Sequence, residues 1–186
     1  MSTRLPPLLV LGLLLFPAVP RVTAQQSAND QAGQPQVSPS TPPALSPRDM
    51  QVERAKIFMA QKRYEASIQA YQDLLKSEPQ NAVFMNMIGI GYLNLANFDQ
   101  AKRYFQRSAK ADKKYPSAVN NLGMVWYSQK NFRRAIREYK KAIAIDPQQA
   151  GTHANLGFAY YNTNKLPEAA IEFQRALEID PQVFER

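Results

Sequence analysis

The sequence has no cysteine and a single histidine, His153, among 186 residues. Without Cys there are no disulfides, no thiol nucleophile, no thiolate metal site and no cysteine for lipid attachment. With one His, multi-histidine metal centres and most His-dependent general-base chemistry are excluded as well. No cofactor, metal site or catalytic group is therefore expected. Glycine is scarce, at 7, and nine of the 14 prolines fall at or before Pro47. Long apolar runs are also rare. One extends from Leu5 to Val19, carries Pro6, Pro7 and Pro17, and falls short of the roughly 20 residues a membrane-spanning helix needs. The apolar fraction of 45% is ordinary for a globular chain, and the length suits one domain.

Residues 1–24 have the parts of a secretory signal. Arg4 supplies a positive start, Leu5 to Val19 the apolar stretch, and Val22-Thr23-Ala24 a small-residue cleavage site. A cleaved signal and an exported, periplasmic or secreted product are expected; an uncleaved anchor is the alternative. Residues 25–47 are rich in Gln, Ser, Ala and Pro, with almost no large apolar side chains. Such a segment cannot bury enough surface to offset the entropy of ordering, so it is expected to be a disordered or polyproline-like linker.

The remainder is periodic. Ala55, Gly89, Gly123 and Gly157 recur at one fixed interval, Ser67, Ala101, Ala135 and Ala169 form a second series at that interval, and Tyr71, Phe105, Tyr139 and Phe173 a third. Pro79, Pro147 and Pro181 keep the same spacing, with Lys113 in the missing place, and Tyr64, Phe98, Phe132 and Leu166 add a further series. Each unit reads as an amphipathic stretch, a polar turn, a second such stretch and a terminating Pro, which is two helices per repeat. The small residues mark where the two helices approach closely. The aromatic series is expected to fill the hole between neighbouring units. Pro removes a backbone donor and disfavours helix in the residue before it, so the second helix stops there.

These residues resemble the tetratricopeptide repeat family. Val119, Leu122, Gly123, Trp126, Ala135, Tyr139 and Pro147 match its pattern in one unit, and His153, Leu156, Gly157, Tyr160, Ala169, Phe173 and Pro181 in the next. Arg54 stands where Leu is usual, as suits an end repeat whose outer face meets water. The resemblance implies an all-α, right-handed superhelical α-solenoid of four helix-turn-helix units, 48–81, 82–115, 116–149 and 150–183. It also implies first helices on the concave side and a partner-binding rather than catalytic role.

Carried onto this sequence, the family's groove positions include Asn86, Asn120, Asn121, Met124, Tyr127, Asn155, Phe158 and Tyr161. Such a groove is amide and aromatic, with Lys56 as its one cation, which discounts clamping of a C-terminal carboxylate. Asn121 and Asn155 are expected to pair with the backbone of an extended peptide, and the rings to supply apolar area. His153 and Trp126 are expected to be packed structural residues, and Glu138, Glu168 and Glu172 to face water.

Between Lys102 and Lys141 stand twelve Lys or Arg against Asp112 and Glu138. Lys102, Arg103, Arg107, Arg133, Arg134, Arg137, Lys140 and Lys141 fall on second helices and make a basic convex patch. It is either a plain solvated face or a contact for anionic polymer or membrane headgroups; nucleic acid is not expected of an exported protein. Five residues follow Pro181, so Ala170, Leu177 and Ile179 are expected to stay partly uncovered, open to a homodimer or a partner helix.

Overall fold

A computed structural model of the protein describes residues 45–185. The expected signal, 1–24, and the linker as far as residue 44 lie outside the described residues. Those described form eight helices in four antiparallel pairs: α1 (Pro47–Ala60) with α2 (Tyr64–Ser77), α3 (Ala82–Asn94) with α4 (Phe98–Ala111), α5 (Pro116–Ser128) with α6 (Phe132–Ile145), and α7 (Ala150–Tyr161) with α8 (Leu166–Ile179). Pro47, counted with the linker from composition, is the first helical residue. Its fixed φ suits that place, and the Ser46 hydroxyl caps the helix by accepting from the Asp49 N–H at 3.1 Å.

Every first helix ends in the same way. Lys62, Ala96, Lys130 and Asn164 adopt left-handed φ values of 59°, 55°, 58° and 58°, again at the repeat interval. The next amide reaches back to the helix: Arg63 N–H to the Phe58 carbonyl at 2.8 Å, Asn97 to Tyr92 at 2.9 Å, Asn131 to Trp126 at 2.8 Å, and Lys165 to Tyr160 at 3.0 Å. This is the Schellman closure, usually built on glycine. None of the four positions holds one. Asn97 and Asn131 then cap the second helices, accepting from the Gln100 and Arg134 amides at 3.2 and 3.3 Å.

Within a repeat the two helices meet at the small series. A Cβ added to Gly89 would stand 2.5 Å from the Phe105 ring, one on Gly123 2.5 Å from Tyr139, and one on Gly157 2.6 Å from Phe173. In the second, third and fourth repeats the aromatic side chain of the second helix therefore lies over the glycine of its own first helix, and in the first repeat Tyr71 faces the next unit, meeting Phe84 at 5.7 Å between ring centroids. Phe105, Tyr139 and Tyr71 are fully buried. Ser67 fits the same close approach by donating its hydroxyl to the Ala55 carbonyl at 2.9 Å.

Neighbouring repeats join where each second helix packs on the next first helix, α2 on α3, α4 on α5 and α6 on α7. At the last of these junctions His153 is buried, with Nδ1 2.7 Å from a Glu172 carboxylate oxygen and Nε2 3.1 Å from the Pro147 carbonyl. His153 is structural, as expected. Glu172 does not face water: the ring of the preceding helix offers it a short bond, and its side chain is 20% exposed. Glu138 is likewise half-buried, beside Lys141.

The outer side of α8 meets no fifth repeat among the described residues. Phe184 folds back there, with ring centroids 5.7 Å from Phe173 and 6.1 Å from Phe158. It covers part of the face, while Ala170 and Leu177 stay exposed and Ile179 half-buried.

Three stability outcomes follow from this packing, each read as the midpoint and slope of urea denaturation. Gly123→Leu loses about 1–3 kcal/mol, because the buried Tyr139 ring cannot withdraw. Gly151→Ala, on the same kind of helix but with nothing within 4 Å of the added Cβ, gains about 0.5–1 kcal/mol. Ala96→Gly relieves a left-handed alanine and gains up to about 1 kcal/mol, the strain removed exceeding the added chain entropy.

Candidate functional site

The first helices touch across repeats, α3 with α5 and α5 with α7, and successive second helices have no contact of that extent among the described residues. The first helices therefore lie on the inner side of the curve. They are joined there by side-chain amides. Asn155 Nδ2 donates to Asn120 Oδ1 at 3.0 Å, Asn120 Nδ2 to Asn121 Oδ1 at 3.1 Å, and Asn121 Nδ2 to Asn86 Oδ1 at 2.9 Å. Asn86 Nδ2 continues to the Tyr115 hydroxyl at 3.4 Å, and Asn162 Nδ2 donates to the Tyr127 hydroxyl at 2.9 Å.

This ladder changes the role of some expected groove residues. Asn86 is 3% exposed and Asn121 9%; both are turned into the junctions, with their amides engaged by other amides. A buried amide left without its partner costs more than a made bond contributes, so these two hold the array together. Asn120 and Asn155 are half-buried and keep one side towards the inner surface.

Met124, Tyr127, Asn155 and Phe158 are brought together, with Ser128 and Tyr139, around a cavity of about 170 Å³ between the third and fourth repeats. Met124 is 37% exposed, Phe158 44% and Tyr161 62%. Tyr161 is not in the wall of that cavity. Burial pushes the Tyr139 phenol above the ordinary tyrosine range, so its hydroxyl stays protonated at the cavity floor. Lys56 is paired with Glu53 at 2.7 Å, which leaves the inner surface nearly without net charge. Ser128 and Asn162 also hold groove positions of the family pattern, whereas Tyr115 was not expected in this region. Asn162 and Tyr127 are separated in sequence by 35, like Asn86 and Asn121 or Asn120 and Asn155, whereas Asn86 and Tyr115 are 29 apart, an interval that no repeat series marks.

The expected basic patch divides into two kinds of cation. Lys141 pairs with Glu138 one turn away at 2.9 Å. Others rest on aromatic faces, Lys102 in addition to pairing with Asp99 at 3.1 Å. Lys102 and Arg134 stand 5.4 and 4.6 Å from the Trp126 ring centre, Lys140 stands 5.6 Å from Tyr160, and Arg107 5.1 Å from Tyr104. A hydrogen bond to the Tyr160 hydroxyl, with the Glu172 and Glu168 carboxylates acting in the same direction, holds Lys140 above the ordinary lysine range. Arg103 lies beside Arg107 and Lys110 around a shallow cavity, Arg133 beside Lys140 and Lys165 around another, and Arg137 is exposed. Trp126 is thus half-buried rather than central to the core, with cations from two neighbouring helices standing over its ring. Lys165, at the turn before α8, was missed; it lies 5.8 Å from Tyr160.

Comparison with known proteins gives concordant results. The description "Tetratricopeptide repeat" matches residues 49–81, 82–115 and 150–183, and "TPR repeat" matches 123–164. A search of curated proteins found no match. Among solved structures the chain is similar in fold to a crystal structure of MamA, with a TM-score of 0.63 at 21% identity, covering 75% of this chain and 82% of that one. It is also similar to MamA 41-end from Desulfovibrio magneticus RS-1, with a TM-score of 0.61 at 19% identity, covering 73% and 76%. The fixed repeat interval, the paired helices and these matches agree: the chain belongs to the tetratricopeptide repeat family.

Proposed function

We propose that the chain is a non-catalytic interaction scaffold that holds an extended segment of a partner protein against its first helices, centred on the third and fourth repeats. The observation that carries this reading is the cavity lined by Met124, Tyr127, Asn155 and Phe158, flanked by the exposed Tyr161. Apolar and aromatic side chains left accessible beside fixed amides are the materials of peptide recognition: area for affinity, and amide groups for a backbone. The stacked repeats supply the rigid frame that keeps these groups in place without the ligand, which lowers the cost of binding. The features of residues 1–24 support an exported scaffold, and we propose a role in assembling an envelope complex.

Selection from a random extended-peptide library displayed on phage, followed by calorimetry on the peptides recovered, tests the groove. Phe158→Asp is expected to weaken a selected peptide at least tenfold, with the helical circular dichroism and melting of the parent retained. Raising salt from about 50 to about 300 mM is expected to change the affinity less than threefold, because the groove has little net charge. Equal affinity for parent and Phe158→Asp would remove the groove from the binding site.

A further inference from the structure

The cations of this protein fall into two populations with different physical consequences. Lys56, Lys76, Lys141 and Arg175 each pair with a carboxylate one turn away on their own helix, so their charge is locally neutralised. A second group is held against aromatic rings. The rings belong to a strict series at the repeat interval, Phe58, Tyr92, Trp126 and Tyr160. Arg54 and Arg63 lie over Phe58, Lys102 and Arg134 over Trp126, and Lys140 and Lys165 over Tyr160. At the second row Tyr92 stacks on Tyr104, and Arg107 covers the latter.

A ring face orients a cation and restricts its motion without cancelling its charge. Arg134 and Lys140 have no carboxylate within ion-pair distance among the described residues; Lys102 and Lys165 have one each, Asp99 at 3.1 Å and Glu168 at 3.6 Å. Two cavities open beside this group. One, of about 490 Å³, has Arg133, Lys140 and Lys165 in its wall, and the other, of about 310 Å³, has Arg103, Arg107 and Lys110. Neither wall contains an acidic residue. The corresponding cavity at the first repeat includes Asp73, so the cavities with cations and no acidic residue in the wall lie over repeats two to four.

We propose that this ring-backed row of cations is a second binding surface, and that it takes an acidic polypeptide segment, rich in Asp and Glu, of a protein partner. Charge complementarity selects an anion. The ring faces select against single-stranded nucleic acid, whose bases need free aromatic surfaces to stack on, because cations already stand over the rings of Trp126 and Tyr160. A bilayer surface is less suited: of the large exposed apolar side chains Leu166 adjoins Lys165 in the chain, but Met124, Phe158, Tyr161, Ile171 and Leu177 stand in neither cavity wall, which leaves the row little to insert. An extended acidic chain matches what remains: successive carboxylates meeting oriented guanidinium and ammonium groups in consecutive repeats. The inference does not depend on the groove reading.

Trp126 is the single tryptophan, so its emission reports the row directly. Poly-L-glutamate titrated into the full chain is expected to shift Trp126 fluorescence and to bind with an affinity that falls at least tenfold between about 50 and about 300 mM salt. Lys140→Glu/Lys165→Glu should weaken it at least tenfold. Phe158→Asp and the charge-matched control Lys76→Glu/Lys141→Glu should weaken it less than threefold. Circular dichroism checks that each variant is folded. Absence of binding, or an equal loss in the charge-matched control, would overturn the proposal. So would tighter binding of oligothymidylate, or of vesicles of equal parts phosphatidylglycerol and phosphatidylcholine, than of poly-L-glutamate.

Discussion

Three of the four repeats depend on a ring set against a glycine. Phe105 over Gly89, Tyr139 over Gly123 and Phe173 over Gly157 leave no space for a Cβ. Adjacent helices can therefore come close enough for one aromatic side chain to serve both as intra-repeat filler and as the floor for the next first helix. An aromatic side chain buries a large apolar area in one position, and in a solenoid that contribution recurs at every unit. The three glycines are consequently the places where the array has no freedom to drift in sequence, whereas Gly151, with open space around it, has.

Stacking alone would leave the angle between repeats loosely determined. The amide ladder removes that latitude. Its bonds join Asn86 with Asn121, Asn120 with Asn155 and Tyr127 with Asn162, each pair separated by 35 in sequence, one position more than the repeat interval. Each first helix is thus displaced by about one residue along its neighbour, and the bonds form only at that displacement. Directional hydrogen bonds in a partly buried setting are suited to fixing such a geometry, because any other register leaves amides unpaired. The polar residues on the inner surface serve the curvature first and a ligand second.

The fold was legible because its determinants are periodic and local in kind: small residue, ring, terminating Pro. Helix pairs, turns and closing prolines all lie where the periodic series puts them. What escaped detection depends on relations between repeats or on backbone conformation. The left-handed closures at Lys62, Ala96, Lys130 and Asn164 carry no glycine to announce them. Glu172 looks like any solvated helix-face carboxylate until His153 of the neighbouring helix is placed beside it. Asn86 and Asn121 have the composition of a groove and the burial of a joint. Trp126 sits in a core series, yet cations from two flanking helices stand over its ring. Within the candidate site, the cluster of Met124, Tyr127, Asn155 and Phe158 was readable from family positions; the division of labour among the asparagines required distances.

The two surfaces of the array are built on opposite electrostatic principles, and that separation has a physical origin. First helices must approach one another, so charges there would be desolvated; amides and apolar side chains are tolerated instead, and Lys56 is neutralised by Glu53. Second helices are held apart by the curvature and stay hydrated, so cations are admitted in number. The ring series of Phe58, Tyr92, Trp126 and Tyr160 lies between these regimes, and Phe58, Trp126 and Tyr160 gather cations that hydration alone would leave mobile. One helix-pair unit, repeated, thereby yields an inner face of amides and apolar side chains and an outer row of cations. A protein partner with an apolar extended segment and an acidic one would engage both, and linking two contacts on a rigid frame raises the effective concentration of the second once the first is made.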